Sequence, residues 1–72
     1  MTPILLLLIC LHGECHQVKV DPPSAITRAM CEEKANSEFA KGRDTIAAAD
    51  PEMGKALELN DFICGYTRGQ GA

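Results

Sequence analysis

Residues Ile4 to Leu11 (ILLLLICL) form one unbroken apolar run of eight, and no later stretch of the chain matches it. A run of this kind has few physical outcomes. As a helix it extends about 12 Å, against the roughly 30 Å hydrocarbon core of a bilayer, so it is too short for a stable transmembrane span. It does have the length of a secretory h-region of about 7 to 15 apolar residues, close behind the amino terminus where such regions lie. Met1-Thr2-Pro3 ahead of it carries no Lys or Arg, leaving the terminal amine as its positive charge. The alternative is a buried strand, with His12-Gly13-Glu14 as a turn and Cys15 to Val20 returning as a second strand. Gln17-Val18-Lys19-Val20 alternates polar with β-branched residues, as an extended segment does. A two-stranded hairpin alone is marginal in water, however, and Leu-rich strands are less typical than those of Val, Ile and Thr. Residues 1–15 therefore read as a signal or anchor segment.

Two processing routes are open at its end. A bacterial lipoprotein signal places the lipid on a Cys just after the hydrophobic run, which makes Cys15 the candidate lipidation site, with Glu14 in the preceding position. Ordinary cleavage after Cys15 would instead use Gly13 and Cys15 as the small residues and release a chain starting at His16. Asp21-Pro22-Pro23 fixes two φ angles and ends regular structure, so residues 16–24 form an extended spacer.

Beyond the spacer the pattern turns helical. Ser24 is placed to cap a helix starting near Ala25, and Cys31, Ala35, Phe39, Gly42, Ile46 and Ala49 recur at steps of three and four along one face. Gly42 interrupts that stripe and can end the first helix, with Asp44 capping a short continuation. Asp50-Pro51-Glu52 supplies an N-cap, a proline for the first turn and a first-turn carboxylate. The second helix is expected from Pro51 to about Cys64, stopped by Gly65, with 67–72 a disordered tail. The expected architecture is thus mainly α: an N-terminal signal or anchor, a proline-containing spacer, and a two-helix hairpin over 25–66 that one disulfide can staple.

The 72 residues include two Phe, one Tyr and no Trp, so any core is thin and cross-links matter. There are four Cys. With Cys10 in the hydrophobic run and Cys15 lipidated or removed, Cys31 and Cys64 remain, each on the inward stripe of its helix, and they are expected to pair. Two straight helices would leave their levels about 7 Å apart, so the bridge requires a kink near Gly42. Cys10, His12, Cys15 and His16 are dense in thiol and imidazole, but their spacing is not that of a zinc finger or knuckle. No catalytic residue, metal ligand or cofactor motif is expected; the glycines after Cys64 follow the predicted helix rather than precede one. The net charge of −3 argues against a nucleic-acid partner, whose affinity comes from clustered positive charge.

The layout of a short hydrophobic leader, a Cys at its end, the extended Val18 to Pro23 stretch, Cys31 and a helical remainder resembles the outer-membrane spanin lipoproteins of tailed phages. The resemblance implies that Cys15 anchors the chain at the inner face of the host outer membrane. The exported part would then bind an inner-membrane spanin subunit in the periplasm and assist lysis. A second resemblance lies in Phe62-Ile63-Cys64-Gly65-Tyr66-Thr67-Arg68-Gly69, which is similar to the Cys-x-Gly-Tyr-x-x-Gly element of small periplasmic immunity proteins, with the Cys one residue closer to Gly-Tyr. That likeness implies a soluble, disulfide-stapled inhibitor. A third reading is a cytosolic β-hairpin-and-helix binding module. None of the three is an enzyme.

Overall fold

A computed structural model describes residues 2–67. Strand β1 spans Thr2–Leu11, strand β2 Glu14–Val20, helix α1 Arg28–Ala49, helix α2 Pro51–Ala56 and strand β3 Leu57–Thr67. The three strands form one antiparallel sheet in the order β2-β1-β3, and helix and strand each account for about 42%. The fold is therefore α+β, and the mainly α expectation with its two-helix hairpin is overturned. Two local causes account for the difference.

The first is the apolar octet, which is the central strand of the sheet. His12 and Gly13 both have positive φ (51° and 86°). This is the backbone of a two-residue turn whose twist matches that of the flanking strands. It returns the chain so that Cys10 faces Cys15 and Leu5 faces Val20. A lone hairpin of this kind would be marginal, but β3 pairs along the other edge of β1 from Thr2 to Leu11. Pairing along both edges satisfies the backbone groups of β1, while its side chains are buried on the α1 face and half-buried on the other.

The second cause is the segment after Ala56. Its Leu57, Leu59, Phe62 and Cys64 alternate with Glu58, Asp61 and Ile63 once a single irregularity is allowed, and that period is two. Leu8 faces Asp61 while Ile9 faces Leu59, so Asn60 is the extra residue of a bulge. The Asp61 carboxylate accepts a hydrogen bond from the Phe62 N–H at 2.8 Å beside it. Strand pairing with β1 overrides the helical spacing that Met53, Leu57, Asn60 and Cys64 also satisfy.

The helices begin and end for identifiable reasons. Thr27, not Ser24, caps α1, its Oγ1 accepting from the Met30 N–H at 3.2 Å. The helix runs through Gly42 without a break to Ala49. Pro51 disfavours helical geometry at Asp50, which is extended (φ −146°, ψ 92°) and whose side chain accepts from the Met53 N–H at 3.2 Å to start α2. Gly54 sits against Ala47 so closely that an added Cβ would lie 2.6 Å from the Ala47 Cβ.

Helix α1 lies on one face of the sheet. Leu5, Leu7, Cys31 and Ala35 are fully or almost fully buried together, with Ile9, Val20, Phe39, Leu59 and Phe62 packed around them. Leu5 and Leu7 point to the helix and the alternate residues Ile4, Leu6 and Leu8 point away, where they are half-buried. Residues 68–72, which hold most of the expected tail, lie outside the described residues.

Candidate functional site

Helix α1 covers β1 and β3 more fully than β2, whose residues are exposed except for a half-buried Val20. The overhang leaves a groove of about 280 Å³ between the helix and the β1–β2 hairpin. Its floor is Leu7 and Ile9 of β1 with Val18 and Val20 of β2, and Leu57 also lines it. Val18 faces Leu7 and Val20 faces Leu5 across the ladder, which places both valines on the helix side of the sheet. Its roof is Phe39, Gly42 and Ile46 of α1, three residues of the stripe read from the sequence. Gly42 contributes no side chain to that roof, and a Cβ added there would meet nothing within 4 Å.

Charge enters the lining only at the rim, through Glu38 and Arg43. Glu38 pairs with Lys34 at 3.2 Å and with Lys41 at 3.5 Å. The hydrogen bond from Lys34, with the charges of Lys41 and Lys34, holds the Glu38 carboxyl below the usual carboxylate range, against an opposing push from desolvation. Arg43 makes no ion pair among the described residues, and its guanidinium stands 5.4 Å from the centroid of the Phe39 ring. The lining thus carries one cation without an ion-pair partner, Arg43, beside a carboxylate already paired with two lysines. The other clefts are more open, and two of them are lined mostly by polar and charged side chains, among them Asp50, Glu52, Glu33 and Lys34.

The cysteines are joined in two pairs. Cys31, fully buried on α1, is bonded to Cys64 on β3, with Cα atoms 6.2 Å apart. The kink required of two helices is absent, since an extended β3 carries Cys64 back toward the start of α1. Cys15, the candidate lipidation site, is bonded to Cys10 directly across the hairpin. A thioether to lipid needs the same Sγ, so the two covalent states exclude one another. Of the cluster noted from the sequence, His16 faces Ile9 and is on the opposite side of β2 from Cys15. Among the described residues no group of three or more His, Cys, Asp or Glu is placed to hold a metal ion.

The geometry defines a small two-disulfide α+β protein with a half-open apolar groove among its described residues. No described helix is long and apolar enough to cross a membrane. Comparison with family models, with curated proteins and with solved structures finds no match to this chain.

Proposed function

We propose that this chain is a non-enzymatic binding protein of an oxidising, extracytoplasmic compartment, stapled by its disulfides and recognising an apolar group in the groove beneath Gly42. This is the soluble, disulfide-stapled binder among the readings of the sequence, acting in the periplasm or its equivalent. The observation that carries it is the pairing of every cysteine in the chain, four in two bonds, since such bonds persist outside the reducing cytoplasm. The spanin-type lysis accessory is supported less well. It draws on a lipid at Cys15 and a surface that pairs with a partner's helix; the 22-residue α1 could serve the second, but Cys15 is bonded to Cys10.

Alkylation before and after reduction, on protein recovered from its producing cells, tests the reading. Material from the exported fraction should take up no iodoacetamide until reduced and then four equivalents, one per Cys. Four reactive thiols on chain held in the cytoplasm would end it.

A further inference from the structure

The groove permits a statement about its ligand, which rests on the binding role proposed above. Three features of the lining narrow the chemistry. An apolar cavity of about 150 Å³ stays dry and accepts a benzene-sized guest, so the groove's 280 Å³ has room for about a dozen non-hydrogen atoms. One inserted Leu or Phe side chain would fill roughly half of it. An inserted peptide would bring an N–H and a C=O for each residue out of water. Among the described residues the lining offers side-chain partners for these only at its rim, Glu38 and Arg43. A linear hydrocarbon chain makes no such demand.

The rim supplies the third feature. Glu38 is already held by Lys34 and Lys41, whereas Arg43 has no anionic partner among the described residues and stands at the groove's edge over Phe39. A guanidinium is built to take a carboxylate through two parallel hydrogen bonds. We infer that the groove binds a medium-chain carboxylate of about ten to twelve carbons, its chain between Phe39 and the β1–β2 floor and its head on Arg43.

Titration calorimetry of the oxidised, full-length chain with decanoate and with decanol, each below its aggregation concentration, tests this. Decanoate should bind one to one and more tightly than decanol. Arg43→Gln should weaken decanoate by roughly tenfold and leave decanol unchanged. Gly42→Leu should abolish binding of both while raising helix propensity, so that loss of binding with an undiminished helical circular-dichroism signal reports a filled groove. Gly42→Ala, whose single methyl enters open space, should bind nearly as the parent does. Decanol binding as tightly as decanoate, or indifference to Arg43→Gln, overturns the carboxylate assignment but leaves an apolar site in place. Binding that survives Gly42→Leu, or no binding of either compound, overturns the groove as an acyl site. The compartment and the sulfur pairing are decided separately by the alkylation measurement.

Discussion

Gly42 and Gly54 lie on helices and differ in what surrounds them. Around Gly42 there is no atom within 4 Å of an added Cβ, whereas at Gly54 that carbon would meet the Ala47 Cβ at 2.6 Å and its Cα at 2.9 Å. Chemical denaturation should therefore separate two like substitutions by sign. Gly42→Ala should stabilise by about 0.5–1 kcal/mol through helix propensity, and Gly54→Ala should destabilise by about 1–3 kcal/mol through overpacking. Glu38 provides a pH test at the same scale. Its carboxyl is held below the ordinary value of 4.5 by Lys34 and Lys41, so its contribution is present above that value and is lost as pH falls through the lower folded one. The melting-temperature difference between the parent and Glu38→Gln should be present at pH 7 and close as the pH falls below 4.5 and through the lowered folded value. A difference that widened in acid would contradict the ion-pair geometry.

At the scale of elements, the two disulfides have distinct duties. Cys31–Cys64 ties α1 to β3 across 33 residues with a fully buried sulfur partner. Cys10–Cys15 closes a hairpin of sequence separation 5 and has an exposed member. By loop-closure entropy the first contributes about 4 kcal/mol and the second about 2 kcal/mol. A dithiol should cut Cys10–Cys15 first by attack at exposed Cys15, releasing the Cys10 thiolate. Hydrogen exchange should then accelerate in β2 before it does in α1 or β3. Simultaneous opening of both bonds, or protection lost first in α1, would refute that order.

These elements differ in how plainly the amino-acid sequence encodes them. The Asp50-Pro51 boundary is legible because a capping carboxylate and a proline act within one turn. The Cys31-Ala35-Phe39 stripe is legible because its spacing is purely helical. β3 is not, because Leu57 and Cys64 also satisfy a helical spacing, and the bulge at Asn60 disguises the period of two that joins Leu57 and Leu59 to Phe62 and Cys64. Without β3 the hairpin of β1 and β2 looks too weak to stand, which is why Ile4 to Leu11 reads as a leader. Half of the groove follows the same division. Its α1 roof was visible as a stripe, while its β1–β2 floor depends on a pairing visible only once a third strand is present.

For the whole molecule, one helix on a three-stranded sheet buries a small set of side chains, and the weight of the fold falls on the central strand. Leu5 and Leu7 are 0% and 1% exposed beneath α1, whereas Leu6 between them looks to the opposite, half-buried face. A fold so thin depends on its cross-links, and the groove exists because α1 leaves β2 uncovered. All of this requires the octet to be folded interior with alternate residues on opposite faces. The most direct measurement is equilibrium unfolding of the oxidised chain carrying either Leu5→Ala or Leu6→Ala. The former should cost about 2–5 kcal/mol as a core truncation, and the latter less than half as much. Equal losses, or two negligible ones, would contradict the placement of this strand and the groove built on it.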